Sequence, residues 1–125
     1  MIVSDWQKYY PYFMEKEFKC KCKCGQCEMQ DDFMDMLLKA RIKADILFII
    51  NSGFRCSEHN KNEGGKDRSD HLTGNGSDIA IHSGRERWII EEALLNVGFL
   101  RIGHGKNFIH VGNRPGNPIK VKWTY

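Results

Sequence analysis

Two histidines and one aspartate of this 125-residue chain have the spacing of a metal site. His71 and Asp78 are separated by six residues that include Gly74 and Gly76, which suits a turn followed by a strand. His110 lies in the run Phe108-Ile109-His110-Val111, whose period of two would turn the histidine away from its neighbours. Two imidazoles and one carboxylate leave the fourth position of tetrahedral zinc open for water. The pattern predicts a catalytic Zn²⁺ ion and a zinc hydrolase, although a capping His71, a turn Asp78 and a core His110 would also fit it.

The elements that must position these residues alternate between helices and strands. Apolar spacing and end signals predict helices over residues 31–44, 57–63 and 84–97. Apolar runs and alternation predict strands over residues 46–50, 78–82, 99–103, 107–112 and 119–125. The aromatic-rich residues 1–19 are expected to form a short helix or an extended arm on the core, and residues 66–77 a polar loop. We therefore expect an α+β fold, a small antiparallel sheet flanked by helices.

Length and composition indicate one domain, residues 1–125, with 41% hydrophobic residues to form its core. The net charge of +3 is too small to indicate a nucleic-acid partner, but it suits weak attraction to an anionic polymer such as a bacterial cell wall. No apolar run approaches the roughly 20 residues that cross a bilayer, so no membrane partner is expected. The N-terminus lacks the pattern of a Sec-type signal. We expect a monomer made in the cytoplasm that acts on the cell wall only if it is released.

Several short motifs agree in order and spacing with one family. The run Ser52-Gly53-Phe54-Arg55 precedes Ser69-x-His71-Leu72-x-Gly74-x-Gly76-x-Asp78, then Phe108-Ile109-His110-Val111 and the terminal Trp123-Thr124-Tyr125. Together they resemble the D-Ala-D-Ala metallopeptidase family, which shares its fold with the Hedgehog signalling domain. The resemblance covers roughly residues 10–125 and is closest to small, single-domain members from phages and bacteria.

The resemblance implies a role for each matching residue. It makes His71, Asp78 and His110 the zinc ligands, and Arg55 a catalytic group that holds substrate or stabilises the transition state. A guanidinium beside zinc can do either, because it can stabilise an oxyanion or bind a carboxylate through two hydrogen bonds. Ser69 would be a hydrogen-bond partner within the loop. For His59 and Asn60 we favour structural roles.

The general base is less well defined by the resemblance. Many members use a glutamate three residues before the last histidine, or an aspartate two residues after it, but these positions are Asn107 and Gly112 here. His104, between Gly103 and Gly105, is the first candidate because its ordinary pKa suits proton transfer near neutrality. The other candidates are His82, Glu63 and Asp70.

The cysteines form a second possible metal site. Cys24 and Cys27 have the spacing of half a zinc knuckle, and Cys20 or Cys22 could add a third thiolate, so a structural ion could bind within this group of four. Cys56 could also come close, because it follows the strand that leads to Arg55. Related small members carry cysteines in this region, which suggests a local staple. A disulfide such as Cys20–Cys56 and free thiols are the alternatives.

The sequence thus predicts a zinc-dependent D-Ala-D-Ala-type carboxypeptidase or an endolysin-like endopeptidase that acts on peptidoglycan stem peptides. The substitutions at Asn107 and Gly112 keep an alternative open, namely a catalytically weak or inactive zinc-binding module that recognises cell-wall peptide or a protein partner. Binding of nucleic acid through the cysteines and neighbouring lysines is a weaker third idea, which the balanced charge disfavours.

Overall fold

A computed structural model describes residues 1–125. The helices are α1 (Glu15–Phe18), α2 (Asp31–Ala44), α3 (Ser57–Asn62) and α4 (Gly84–Asn96). The strands are β1 (Ile50–Ser52), β2 (Gly76–Ala80), β3 (Arg101–His104), β4 (Phe108–Gly112) and β5 (Val121–Thr124). Two 3₁₀ helices cover Trp6–Tyr9 and Asp70–Thr73. The α+β prediction is therefore confirmed.

The five strands form one sheet in the order β1-β2-β4-β3-β5. The first three contacts between neighbouring strands are antiparallel, whereas β5 pairs with β3 in parallel. The predicted antiparallel sheet is therefore confirmed over four strands, and the fifth strand, β5, joins its β3 edge in parallel.

One face of the sheet is covered by helices and contributes to the core. Ile79, Ile102, Ile109 and Val111 are fully buried on the strands. Helices α2 and α4 pack against each other, and each buries an apolar stripe with helical spacing, such as Phe33 and Leu37 on α2. Ser83 caps α4 by accepting a hydrogen bond from Glu86 N–H. The opposite face of the sheet is left open for polar side chains.

The apolar run at 46–50 does not form the strand that the sequence predicted. β1 begins only at Ile50 and continues to Ser52. Leu47 and Ile49 are exposed, and only Phe48 of the preceding run is fully buried. Pairing with β2 selects the strand residues here, because Ile50 and Ser52 are the residues in register with Ile79 and Asp78.

The aromatic N-terminal segment packs on the core, as expected. Tyr9, Phe13 and Phe18 are buried, and Phe18 meets Phe13 edge to face with ring centroids 5.5 Å apart. Phe18 also lies against Gly53, where an added Cβ would come within 2.7 Å of the Phe18 backbone. The segment thereby supports the turn that follows β1. None of the helices combines the length and apolar character needed to cross a bilayer.

Candidate metal centre

The open face of the sheet carries one row of residues that crosses all five strands. Ser52 is in register with Asp78, Asp78 with His110, His110 with Gly103, and Gly103 with Trp123. Residues in register point to the same face, so two of the predicted ligands are direct cross-strand neighbours. Tertiary pairing of β2 with β4 brings together residues 32 positions apart in the chain.

His71 reaches the same row from the loop before β2. It lies in the 3₁₀ helix Asp70–Thr73, which Ser69 caps by accepting a hydrogen bond from His71 N–H. Gly74 ends this helix with a φ of 74°, a conformation that favours glycine, and the chain then enters β2. The predicted polar loop is thus an ordered turn that buries His71.

Three donor atoms converge at this point. His110 Nδ1 lies 2.9 Å from Asp78 Oδ1, and His71 Nε2 lies 3.3 Å from the same oxygen. The three ligand atoms all lie within 4.8 Å of one another, and all three residues are buried. Two imidazole nitrogens and a carboxylate oxygen form a donor set that suits zinc. The residues present therefore fit a zinc ion.

The remaining nitrogen of each ring is bonded in a way that fixes the tautomer. His71 Nδ1 lies 2.7 Å from the Gly53 carbonyl oxygen, which can only accept, so Nδ1 carries the proton. His110 Nε2 donates to Asp70 Oδ2 at 2.8 Å. These bonds leave His71 Nε2 and His110 Nδ1 directed toward Asp78. Hydrogen bonds of this kind orient histidine ligands and increase their basicity in metal proteins.

Burial and charge shift the pKa values of the two histidines in opposite directions. Burial lowers the pKa of His71 below its usual value, although Asp78 acts in the opposite direction. Burial would also lower the pKa of His110, but its hydrogen bonds to Asp70 and Asp78 and their charges raise it. For Asp78, the effect of burial is outweighed by the two imidazoles, which hold its pKa below the usual carboxyl value. In the metal-free chain, the raised pKa of His110 therefore favours a proton at the position where a metal would bind.

Asp70, one of the candidates for the general base, has a buried side chain whose two oxygens both accept hydrogen bonds. Oδ2 accepts hydrogen bonds from His110 and from Arg101, at 3.2 and 3.3 Å for the latter, and Oδ1 accepts from Asn117 Nδ2 and Arg114 N–H. Burial would raise the pKa of Asp70, but His110 and Arg101 together lower it. Asp70 thus remains ionised and orients His110.

Gly112 makes room for this carboxylate. A Cβ added at residue 112 would overlap the Asp70 carboxyl group and lie 2.8 Å from its Cβ. The aspartate that related chains place two residues after the last histidine would occupy the same space. The Asp70 carboxyl group therefore occupies the space that a side chain at residue 112 would need.

Arg55 holds the other oxygen of the central carboxylate. Its Nη2 lies 3.2 Å from Asp78 Oδ2, and its Nε donates to Ser52 Oγ at 3.1 Å. Nη1 has no partner within the chain. Arg55 also lines the open cleft above the row, so the residue that orients Asp78 is itself part of the cleft wall.

The cleft has a volume of about 1230 Å³ and is lined mainly by polar and charged residues. All three predicted ligands lie on its wall. Trp123 packs over Gly103, where a Cβ would lie 2.7 Å from the indole, and its ring centroid is 5.6 Å from that of His110. Arg101 stacks on the other part of this tryptophan at 5.0 Å. The C-terminal strand therefore forms one wall of the cleft.

The structure does not bring His104 or His82 to this site. His104 is in register with Ile109, on the helix-covered face of the sheet, where it is bonded to Arg87 and Glu91. His82 lies beyond the end of β2, exposed, with its ring 3.1 Å from Glu86. Strand alternation explains the correction for His104, because its neighbour Gly103 is the residue that faces His110. Neither histidine is in place to serve as the general base.

Comparison with known proteins agrees with this geometry. A family model described as Peptidase M15 matches residues 11–112, which include all three predicted ligands. The chain belongs to the peptidase M15 family. This is the zinc D-Ala-D-Ala metallopeptidase family, so the resemblance drawn from the motifs is confirmed. No curated protein matches the chain.

M15 membership indicates a zinc-dependent metallopeptidase with a peptide substrate. Asp70, Gly53 and Arg101 support the centre in this M15 chain but were not assigned these roles from the sequence. One signal was available: a carboxylate immediately before His71 together with the missing carboxylate at Gly112.

Proposed function

We propose that this protein is a zinc peptidase that cleaves peptidoglycan stem peptides, as a D-Ala-D-Ala carboxypeptidase or an endolysin-like endopeptidase. The observation that carries the proposal is the convergence of His71, Asp78 and His110 on the wall of an open cleft. A buried structural site would have no such access to a substrate. Family membership supports peptide hydrolysis by this centre.

The proposed division of roles follows from the contacts. Bound zinc would supply Lewis acidity, which polarises a carbonyl and acidifies water. Asp70 and the Gly53 carbonyl orient the two histidine ligands. The unpartnered Nη1 of Arg55 is the donor that would stabilise negative charge developing on substrate oxygen.

The charges of the cleft favour an anionic substrate. Lys66 and Arg68 line it, are exposed, and form no ion pair within the chain. Asn117 Oδ1 holds the Arg68 side chain through Nε at 3.2 Å, which leaves the end of the guanidinium free. A peptide with a free carboxylate near the scissile bond, as stem peptides have, would meet these two cations.

Glu63 is the remaining candidate for proton transfer. Of the three carboxylates that line the cleft, Asp70 and Asp78 are bonded to His110 and to arginines. Glu63 has only a long contact of 3.7 Å with His59 and is half exposed. We therefore propose Glu63 as the base in place of His104.

Digestion of purified peptidoglycan by the zinc-loaded protein tests the proposal. Release of D-alanine would indicate a carboxypeptidase, and new amino termini within the stem peptide would indicate an endopeptidase. Removing zinc or replacing His71 with alanine should abolish either product. No product from several wall chemistries, with zinc confirmed in place, would contradict the proposal.

A non-catalytic module that binds cell-wall peptide is the alternative. The observation that favours it is the position of the nearby carboxylates: Asp70 is fully engaged with His110 and Arg101, and residue 107 is an exposed asparagine. This alternative predicts zinc-dependent binding of stem peptide without cleavage. Calorimetric titration with a soluble stem peptide, followed by mass analysis of that peptide, distinguishes the two functions.

A further inference from the structure

Four cysteine thiols meet at a second point of the structure. One of them belongs to Cys56, the residue that follows Arg55 in the chain. The Sγ atoms of Cys20, Cys22 and Cys56 are separated by 3.4, 3.6 and 3.7 Å. Cys24 completes the group, since all four sulfur atoms lie within 4.8 Å of one another. All five cysteines of the chain are free. The disulfide considered from the sequence is thus not formed in this structure.

The spacing of the sulfur atoms matches tetrahedral coordination of a zinc ion. Zinc binds cysteine sulfur at about 2.3 Å, so the edge of an ideal tetrahedron of four sulfurs is about 3.8 Å. The three measured separations fall just below this edge. Four cysteine thiolates form a closed coordination shell, which is typical of structural zinc sites.

Each of the four sulfurs also accepts a backbone hydrogen bond. Cys56 N–H donates to Cys20, Cys24 N–H to Cys22, Gln26 N–H to Cys24, and His59 N–H to Cys56, at 3.3–3.5 Å. A neutral thiol is a weak acceptor, whereas a thiolate needs such donors when it is partly buried. A backbone donor therefore lies within hydrogen-bond distance of each of the four sulfurs.

The surrounding charge has the matching sign. A zinc ion with four thiolates carries a net charge of about −2, because each thiolate contributes one negative charge. Lys19, Lys21 and Lys23 alternate with the first three cysteines and are exposed. The lysines thus place three positive charges in the same short segment.

Cys27, which the sequence placed in this cluster, does not belong to it. After Gly25, whose φ is 69°, the chain turns and the Cys27 thiol faces the Glu15 carbonyl oxygen at 3.9 Å. The Cys27 sulfur is therefore not among the four that lie within 4.8 Å of one another. Cys56, distant in sequence, takes the position that was assigned to Cys27.

We propose that Cys20, Cys22, Cys24 and Cys56 bind a second, structural zinc ion. The ion would fasten the N-terminal segment to the turn after β1. That turn carries the Gly53 carbonyl, which orients His71, and Arg55, which orients Asp78. Phe54 N–H already donates to the Phe18 carbonyl oxygen at 2.9 Å, so the zinc would lock an existing contact. The structural ion would therefore stabilise the turn whose Gly53 carbonyl and Arg55 orient His71 and Asp78, although the ion itself would not face the cleft.

Metal content and cobalt spectroscopy test this proposal without depending on catalysis. Protein purified under reducing conditions should contain two zinc ions per chain, and the double variant His71→Ala/His110→Ala should retain one. Cobalt bound to that double variant should show the intense near-ultraviolet charge-transfer band of cobalt–thiolate bonds. Cys24→Ser, at the most exposed ligand, should lose the band in the same background, whereas the matched control Cys27→Ser should keep it.

Three results would overturn the proposal. The first is a metal-free double variant that is still folded. The second is cobalt bound to it with no thiolate band. The third is an intact mass, or a count of reactive thiols, that shows a disulfide in the freshly purified chain. The wild-type chain and the double variant both keep every cysteine. Their zinc content therefore tests the proposal even if the Cys24→Ser chain fails to fold.

Discussion

Replacing Asp70 with asparagine should weaken zinc binding, although Asp70 is not itself a ligand. The substitution keeps the shape of the side chain but removes its charge. It affects the 2.8 Å bond from His110 Nε2 and the two bonds from Arg101. The neutral amide is a weaker acceptor, so the imidazole becomes less basic and less firmly oriented.

Two magnitudes follow from this geometry. Loss of a partner that orients a metal ligand lowers metal affinity about 10- to 100-fold, or about 1.4 to 2.8 kcal/mol. The Asp70 side chain is 1% exposed and that of Arg101 12%. Breaking such a pair costs about 3 to 5 kcal/mol. We expect the lower end, about 3 kcal/mol, because Arg101 keeps its bond to the Pro118 carbonyl and its stacking on Trp123.

The assay has two independent measurements. Competition with a chromophoric chelator gives the zinc dissociation constant, and urea unfolding of the metal-free protein gives the free energy of unfolding. Asp67→Asn is the matched control, because Asp67 is a nearby exposed aspartate without these contacts. An unchanged dissociation constant in a folded Asp70→Asn protein would refute the reasoning, even if unfolding were affected.

A relocated carboxylate tests the packing argument directly. Gly112→Asp alone should destabilise the chain by about 1 to 3 kcal/mol, since the new side chain meets Asp70 in a filled space. Combined with Asp70→Gly, the same substitution should recover part of the zinc affinity, with a favourable coupling of about 0.5 to 3 kcal/mol. If the loss of zinc-binding free energy in the double variant equals the sum of the losses in the two single variants, a carboxylate at residue 112 cannot orient His110 in place of Asp70.

Three further predictions concern protons and charge at the cleft. Because the pKa of His110 is raised in the metal-free chain, zinc must displace its proton below that pKa, so zinc affinity should rise with pH until that pKa is passed; calorimetry in buffers of different ionisation enthalpy should detect the released proton. Arg55→Lys should reduce kcat about 100-fold, because one ammonium cannot both hold Asp78 and face the substrate. Metal analysis should show an unchanged zinc content; a loss of bound zinc as large as the loss of kcat would contradict this prediction. Glu63→Gln should lower kcat about 100-fold, whereas Glu58→Gln in the preceding helix should leave kcat unchanged.

The local sequence pattern accounts for most of the secondary structure. The helices α2 and α4 occur where the 3.6-residue period predicts them, because this signal depends on neighbours within one or two turns. The strand at 46–50 was wrong for a related reason. A continuous apolar run does not specify register, and pairing with β2 selected Ile50–Ser52 instead.

The site was predictable only in part. His71, Asp78 and His110 were found from residue type, spacing and motif order, and the structure brings them together. His104 was misplaced because a shift of one residue along a strand reverses the face of the sheet. Cys27 was placed in the cluster because it forms a Cys-x-x-Cys pair with Cys24, whereas the fold brings Cys56 to the other three thiols.

The sequence by itself determined which donor types are present, the family and the class of fold, since these depend on composition, period and ordered motifs. Only the tertiary structure decided which groups surround those donors. It placed Asp70 in the space above Gly112, turned His104 toward α4 and assembled four thiols from two distant segments. The physical reason is that each outcome depends on strand register and close packing between residues far apart in the chain. A period or a short motif carries no information about such contacts.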